Sequence, residues 1–235
     1  ASAWHFAEIM SRQDMPAGTF NLVMGPGREV GDTLSGSADI DAISFTGSVE
    51  VGREVGLRAM GQLTRVQMEM GSKNPLVVLD DADLETAVQC AFMGGYSGSG
   101  QKCTASSRLI VTDALHDQFV EALCARLANA PVGHALDPNT QIGPIVDAGQ
   151  LQKDLDWIET AKREGATLAF GGETLKTDTE GYFLAPTLFT DTHNAMEINR
   201  EEMFGPIACV IRVKDADEAL EVANDTRFGL TAGII

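Results

Sequence analysis

The sequence predicts an α/β protein with two domains, the first built on a parallel sheet that helices cover on both sides. Apolar runs of strand length alternate with segments of helical period, and the alternation is interrupted once, at residues 71–75. Strands that alternate with helices are typical of parallel sheets in α/β proteins. The interruption, Gly-Ser-Lys-Asn-Pro, therefore separates a first domain at 1–71 from a second at 72–235.

The first domain is predicted to alternate three helices with three strands. The helices are expected at 2–10, 30–34 and 49–63, and the strands at 20–24, 40–45 and 65–70. In the last helix, apolar side chains at helical spacing predict the face that points inward. That face consists of Val51, Val55, Leu57 and Met60.

The second domain repeats the alternation of strand and helix. Strands are expected at 76–79, 106–111, 166–170, 188–189, 207–213 and 230–235, and helices from 84 onward and at 115–127, 148–164 and 215–224. Asp83 and Asp113 precede two of these helices. A carboxylate at that position caps free N–H groups and favours the positive end of the helix dipole, so both residues are predicted to be caps.

The composition excludes several classes of partner. With 17 Lys and Arg against 34 Asp and Glu, the formal net charge is −17 at pH 7, so neither nucleic acid nor an anionic membrane is expected to bind. No apolar run reaches the length of a membrane span, and no secretory signal opens the chain. The first residues resemble a helix interior and the last an uncovered apolar strand, which indicates a piece of a longer protein.

The cysteines indicate a reducing compartment such as the cytoplasm. None of the four forms a C-x-x-C pair or has a histidine at zinc-ligand spacing, so neither a metal site nor a disulfide framework is expected. Cys90, Cys124 and Cys209 lie in apolar segments and are predicted to be core residues.

Cys103 differs from the other cysteines because glycines clear its surroundings. It lies in G-S-G-Q-K-C-T, residues 98–104, at the end of a predicted helix, and the approach to it contains Gly94, Gly95, Gly98 and Gly100. Most free cysteines are small buried hydrophobes, and that interpretation stays open. The glycines favour a thiol that another molecule can approach closely. The adjacent Lys102 is either a solvent-facing lysine or a contact for a carboxylated ligand.

Three further segments are ambiguous when each is taken alone. Residues 45–48 join a strand to a helix and form either an anion site or a turn with a serine cap. Glu69, between two methionines, is either a solvent-facing strand residue or a carboxylate in an apolar pocket suited to general-base catalysis. Residues 201–206 are either a solvated loop or a held glutamate that binds sugar hydroxyls.

Taken together, four segments resemble the aldehyde dehydrogenase superfamily in their order. They are F-T-G-S-x-x-x-G at 45–52, M-E-M-G-S-K-N-P at 68–75, G-Q-K-C-T-A at 100–105 and E-E-M-F-G-P at 201–206. Glu69 and Cys103 are 103 − 69 = 34 positions apart, an interval typical of that family. The resemblance covers essentially the whole chain and is nearest to the ketoglutarate semialdehyde dehydrogenase branch. It implies the end of a Rossmann-type parallel sheet, followed by an α/β catalytic domain truncated at its C-terminal end.

The resemblance implies oxidation of an aldehyde to a carboxylic acid with NAD or NADP. Cys103 matches the nucleophile that forms a thiohemiacetal and then a thioester, and Glu69 matches the general base that activates water. The residues that match cofactor contacts are Gly47, Ser48, Gly71, Glu202 and Phe204. The implied partners are a small aldehyde, such as 2-oxoglutarate semialdehyde, and further copies of the chain in a homodimer or homotetramer.

Two departures from the family pattern leave competing functions open. The family's oxyanion asparagine and its adenosine-ribose lysine match no residue here, so the 235-residue chain alone is expected to be inactive. One alternative is a non-catalytic fragment or scaffold. The other is a thiol hydrolase or acyltransferase without nicotinamide, which would need a base such as histidine near Cys103, and no histidine motif is present.

Overall fold

The computed structural model describes residues 2–235, which form an α/β protein and so confirm the predicted fold class. They divide into two compact units between Met70 and Gly71. None of the helices within residues 2–235 combines the length and apolar character needed to cross a membrane.

The first unit contains one pair of parallel strands among its described residues. Its elements are α1 (Ser2–Ser11), α2 (Gly27–Ser35), β1 (Ala42–Gly47), α3 (Val49–Met60) and β2 (Arg65–Met70). β1 and β2 pair in parallel, with Gly47 opposite Met70. Because the strands run in the same direction, their carboxyl ends lie together at one edge of the pair.

The strand predicted at 20–24 does not form. Val23 and Met24 are exposed, and the ring of Phe20 packs edge-on against Phe6 of α1 at a centroid distance of 5.6 Å. A strand needs a neighbouring strand to satisfy its backbone hydrogen bonds, and this segment has none among the described residues. The apolar run therefore lies outside the sheets, with Phe20 in contact with α1 and Val23 and Met24 open to solvent.

The inner face of α3 was predicted only in part. Val55 is buried as expected, but Val51, Leu57 and Met60 are exposed. The buried stripe consists of Gly52, Val55 and Ala59. A Cβ on Gly52 would lie 2.5 Å from the sulfur of Met70, so a small residue is what lets the helix approach β2. The helix ends at Met60, before the left-handed residue Leu63, and not at Leu63 as predicted.

The second unit is built on a six-stranded sheet, and its strands β6 and β7 form a separate antiparallel pair. The strands of the unit are β3 (Asn74–Val78), β4 (Ser106–Thr112), β5 (Thr167–Phe170), β6 (Thr174–Leu175), β7 (Phe183–Leu184), β8 (Thr187–Thr192), β9 (Ile207–Val213) and β10 (Gly233–Ile234). Its helices are α4 (Leu84–Gly95), α5 (Asp113–Ala128), α6 (Ala148–Arg163), α7 (Glu197–Arg200) and α8 (Ala216–Asn224).

The sheet order is β10-β3-β4-β9-β8-β5, and all neighbouring pairs are parallel except β5 with β8. Every residue of β3 is buried, because side chains from the strands pack against α4 and α5 in one cluster and against α8 in another. Since β3, β4 and β9 are parallel neighbours, the segments that precede them reach the same edge of the sheet. Those segments contain Gly71, Cys103 and Glu202.

Several boundaries in the second unit differ from the prediction. α5 begins at Asp113 itself, which lies in the first turn and is not the cap, whereas Asp83 caps α4 by accepting from the Thr86 N–H. The last strand is shorter than predicted, since only Gly233 and Ile234 pair with β3. β6, β7 and α7 were not predicted, because elements of two to four residues show no periodicity.

The cysteines predicted to be core residues are not equally buried. Cys209 is buried in β9 and Cys124 is half-buried against the core, but Cys90 is exposed. In α4 the buried stripe runs through Ala87, Val88, Ala91, Phe92 and Gly95. Cys90 lies on the opposite side of that stripe, so its prediction as a core residue was wrong.

Candidate active site

The Cys103 loop is shaped by residues in left-handed backbone conformations. After α4 the chain forms a tight turn, Ser97–Gly100, in which Gly98, Ser99 and Gly100 have φ of 64°, 58° and 65°. A Cβ on Gly100 would overlap the carbonyl oxygen of Gly205, so the close approach of these two segments requires glycine. The turn delivers Cys103 in a half-buried position just before β4.

Asn74 anchors the loop on the side of β3. Its Nδ2 donates to the carbonyl of Cys103 at 2.8 Å and to that of Ala105 at 3.0 Å, and its Oδ1 accepts from the Thr231 N–H at 3.1 Å. The side chain is buried, so these bonds are shielded from water. Sequence analysis gave Asn74 no role, although it lies in the M-E-M-G-S-K-N-P segment.

A second set of bonds ties the loop to the segment before α6. The Ser99 hydroxyl donates to the Gly143 carbonyl at 2.8 Å. The Gln101 amide donates to the Pro144 carbonyl at 3.2 Å and accepts from the Val146 N–H at 2.9 Å. The loop is therefore held on two sides by hydrogen bonds to groups distant in sequence.

Lys102 helps to fix the loop to the end of α4. Its Nζ donates to the Met93 carbonyl at 3.3 Å and to the Ser97 hydroxyl at 3.0 Å. Met93 lies in the last turn of α4, where unpaired carbonyls favour a cation. The ammonium group is thus engaged at the helix end, an arrangement that neither of the two open interpretations of Lys102 anticipated.

Glu202 and Gly71, two of the predicted cofactor contacts, lie side by side. The Ser72 N–H donates to Oε1 of Glu202 at 3.0 Å, and a Cβ on Gly71 would overlap the Glu202 carboxylate. Burial raises the pKa of the Glu202 carboxyl, while the Ser72 hydrogen bond and the nearby Lys73 act in the opposite direction. Glu202 is thus a half-buried carboxylate with a fixed backbone partner.

The turn after Glu202 lies beside the Cys103 loop. Phe204 is exposed and has φ of 62°, a conformation that costs a non-glycine residue energy unless its surroundings hold it. A small cavity lies between the two segments, and its lining includes Gly100, Lys102, Glu202 and Phe204. The second unit therefore brings Gly71, Glu202 and Phe204 close to the loop that carries Cys103.

Lys73 is a buried cation that sequence analysis did not single out. Its ammonium nitrogen has no hydrogen-bond partner within residues 2–235. Burial lowers its pKa to about 8, and the nearby Cys209 opposes that shift. The signal in the sequence was a lysine directly before the apolar strand β3, a position from which a side chain enters the core.

In the first unit the structure places Gly47, Ser48 and Glu69 at the carboxyl ends of β1 and β2. Ser48 caps α3 by accepting from the Val51 N–H at 3.3 Å, which is the serine-cap arrangement. Glu69 is exposed, and Gln67 donates to its Oε1 at 3.4 Å. A cavity of about 850 Å³ in the same unit is lined by residues of α2, β1 and α3.

The fold and the site define an α/β protein with a cysteine held in a glycine-containing loop, and within residues 2–235 no group of three metal-ligating side chains is present. The aldehyde dehydrogenase family model matches residues 1–235, so the chain belongs to that family. This confirms the resemblance that the four sequence segments indicated.

Relatives in this family match nearly the whole chain but are longer than it. The alpha-ketoglutaric semialdehyde dehydrogenase of Bacillus subtilis is 42% identical over 222 residues, which are 94% of this chain and 46% of that protein. The 2,5-dioxopentanoate dehydrogenase of Saccharolobus solfataricus is also 42% identical, over 97% of this chain and 48% of its own length. The chain therefore spans about half the length of the curated relatives it matches.

Solved structures give the same result for the fold. The betaine aldehyde dehydrogenase of Staphylococcus aureus, crystallised in complex with NAD+, matches with a TM-score of 0.97 at 37% identity. The match covers 100% of this chain and 47% of that one. At this similarity the two chains share their backbone fold throughout the matched region.

Proposed function

We propose that this chain carries the nucleophile and the general base of an NAD-dependent aldehyde dehydrogenase. The observation that carries the proposal is the Cys103 loop, in which left-handed glycines and buried anchors hold one half-buried thiol at a sheet edge. Membership of the family and the NAD+ complex of the Staphylococcus aureus relative support it.

The residues present fit a dinucleotide. The cavity beside α2, β1 and α3 has a volume within the range of small-ligand sites, and Gly47 and Ser48 lie at the N-terminus of α3, where a phosphate is favoured. In the second unit, Glu202 is a held carboxylate suited to accept hydrogen bonds from ribose hydroxyls, with Gly71 and Phe204 beside it. When bound, NAD accepts the hydride that leaves the substrate carbon.

The chain's own residues supply the rest of the chemistry. The Cys103 thiolate adds to the aldehyde carbon to form a thiohemiacetal, and the Cys103 backbone N–H donates to the developing oxyanion. Once hydride has left, a thioester joins the acyl group to the sulfur. Glu69 takes a proton from water, which attacks the thioester carbon and releases the carboxylic acid and the thiolate.

The substrate proposal is a semialdehyde such as 2-oxoglutarate semialdehyde. This proposal is supported by the similarity to the Bacillus subtilis alpha-ketoglutaric semialdehyde dehydrogenase and the Saccharolobus solfataricus 2,5-dioxopentanoate dehydrogenase. Lys102 uses two of its three N–H donors on Met93 and Ser97 at the end of α4, so it has one left for a substrate carboxylate. We further propose a homodimer or homotetramer in the cytoplasm, for which light scattering and cell fractionation are the direct measurements.

The test is NADH or NADPH formation by the native protein that contains this sequence, with a panel of aldehydes. We expect formation of NADH with a carboxylated aldehyde, and its loss in Cys103→Ser but not in Cys90→Ser, the exposed-thiol control. Hydrolysis of an activated ester without any NADH or NADPH formation would support the thiol hydrolase instead. Absence of both activities, with no cofactor binding, would support a non-catalytic scaffold.

A further inference from the structure

A buried carboxyl group in α6 packs against the turn that follows Glu202. Asp154 is fully buried, and its carboxyl atoms lie 2.5 Å from the position that a Cβ on Gly205 would occupy. One oxygen, Oδ2, has no hydrogen-bond partner within residues 2–235. A buried carboxyl with a free oxygen is costly, so its presence calls for a specific role.

Gln150 connects this carboxyl group to the turn. Its Nε2 donates to Oδ1 of Asp154 at 2.8 Å, one helical turn further along α6. The same nitrogen lies 3.1 Å from the Met203 carbonyl and 3.4 Å from the Phe204 carbonyl. An amide nitrogen carries two hydrogens, so Gln150 can bond to Asp154 and to the turn at the same time.

The turn needs such a support because it contains an unfavourable conformation. Phe204 has a positive φ, and Gly205 has no side chain to pack against its neighbours. Residues in sparsely populated conformations persist only where surrounding contacts hold them. With one hydrogen on Asp154, Gln150 directs its other hydrogen at the Met203 and Phe204 carbonyls, the nearer of which is that of Met203, and Asp154 fills the space beside Gly205.

We propose that Asp154 is a positioning residue, which orients the Gln150 amide so that the turn presents Glu202 and Phe204 to the cofactor. This inference rests on the proposed function, since it assigns the turn to NAD binding. Asp154 itself touches neither the cofactor nor the substrate in this scheme. Its effect is on the shape of the turn and hence on the affinity for NAD more than on the rate of the chemical step.

The helix offers a matched control. Gln152 donates to Asp156 at 2.9 Å with the same spacing on the same helix, but both side chains are exposed and neither contacts the turn. Asp156→Leu therefore reproduces the loss of an intrahelical bond without the loss of the buried contact.

The experiment compares Asp154→Leu, Asp154→Asn, Gln150→Met and Asp156→Leu in the native protein. Hydrogen–deuterium exchange of the peptide covering residues 201–206 reports the turn directly and needs no cofactor. We expect about fivefold faster exchange in two of the variants, because Gln150→Met loses the hydrogen bond to the turn and Asp154→Leu loses the acceptor that orients the Gln150 amide. Asp154→Asn keeps an acceptor for Gln150 and should restore slow exchange, and Asp156→Leu should match the wild type.

Steady-state kinetics then link the turn to the cofactor. We expect Asp154→Leu to raise the KM for NAD about tenfold, more than it lowers kcat, and Asp154→Asn to recover most of the loss.

If Asp154→Leu unfolds the whole protein, Gln150→Met decides the question. Unchanged exchange at 201–206 in a folded Asp154→Leu or Gln150→Met variant overturns the inference. Faster exchange at the turn together with an unaltered KM for NAD also overturns it. A wild-type protein that binds no NAD overturns the proposed function, and the exchange data then still decide whether Asp154 holds the turn.

Discussion

The four cysteine thiols differ in their burial and therefore in how readily they form a reactive thiolate. Cys209 is fully buried, and burial raises its pKa to about 11, while burial also raises the pKa of Cys124. Cys103 is half-buried in its loop, and Cys90 is exposed on α4. Since the thiolate is the reactive form, the two buried or partly buried core thiols are poor nucleophiles at neutral pH.

We predict that iodoacetamide modifies Cys103 faster than any other thiol of the folded protein. The reason is its proposed role as the nucleophile, which requires a reactive thiolate, whereas exposure alone would favour Cys90. Mass spectrometry of peptides taken at increasing times gives the rate at each site. Cys103→Ser should abolish the fast phase, whereas Cys90→Ser should remove only a slower one. A fast phase that persists in Cys103→Ser would show that the loop does not select the reactive thiol.

The buried carboxyl of Asp154 makes stability depend on pH. Burial raises its pKa from an ordinary value of 3.8 to about 7, and the Gln150 hydrogen bond partly opposes the shift. Between these two values the folded state holds a proton that the unfolded state has released. Stability therefore falls as pH rises from about 4 to about 7, and above that range the full cost of a buried charge is present.

We predict that Asp154→Asn stabilises the protein above pH 7 by about 2–4 kcal/mol relative to wild type, and that the gain shrinks towards pH 4. Urea denaturation at several pH values measures it. Asp156→Asn, on the exposed side of α6, should show no such trend. An equal gain at pH 4.5 and pH 8 would mean that Asp154 is ionised in the folded state at both.

At the scale of elements, the site arises because three parallel neighbouring strands begin at one edge of the sheet. The segments before β3, β4 and β9 contain Gly71, Cys103 and Glu202 respectively. They approach so closely that side chains are excluded at Gly71, which faces Glu202, and at Gly100, which faces Gly205. The site thus depends on contact between loops as much as on the chemistry of their side chains.

A comparison of Gly98 with Gly100 distinguishes the energetic effect of the loop contact from the effect of backbone strain. Both have φ near 65°, but a Cβ on Gly98 would meet only Lys102 at 3.8 Å, whereas one on Gly100 would overlap a backbone carbonyl. We predict that Gly98→Ala costs about 1–2 kcal/mol, the cost of a left-handed conformation. Gly100→Ala should cost more and should also slow the modification of Cys103. Equal free energies of unfolding for the two variants, measured in urea, would show that the loops are not in tight contact.

At the scale of the whole molecule, the proposed catalysis requires residues from both units. Glu69 lies at the end of β2 in the first unit and Cys103 before β4 in the second. Glu69 is exposed within the described chain, which leaves its carboxylate free to act on water. The proposed roles are separable in time, because the thioester is hydrolysed only after hydride has left.

We predict that Glu69→Gln in the native protein spares the first hydride transfer and slows turnover by about 10²–10⁴-fold, the usual cost of losing a general base. Stopped-flow absorbance should show a burst of NADH followed by a slow steady rate. Glu121→Gln, on the exposed side of α5, is the control and should behave as wild type. Normal turnover by Glu69→Gln would remove Glu69 from the role of base.

The local sequence was sufficient for elements with strong periodicity and for the family. β2 and β9 lie at their predicted residues, and α6 differs by one residue at its end. These segments have a clear apolar pattern or a side-chain cap, as at Asp147 before α6, and both signals act within a few residues. The four ordered segments likewise identified the aldehyde dehydrogenase family from the sequence.

Only the tertiary structure decided which side chains face the interior and what supports the loops. The predicted strand at 20–24 is absent and Cys90 is exposed, since burial depends on neighbours that lie far away in the sequence. Asn74 has its role because Cys103, which is 103 − 74 = 29 positions later, comes to lie beside it. Asp154 has its role because Gly205, which is 205 − 154 = 51 positions later, comes to lie beside it. A local pattern carries no information on such contacts, because they form only when the sheet brings distant segments together.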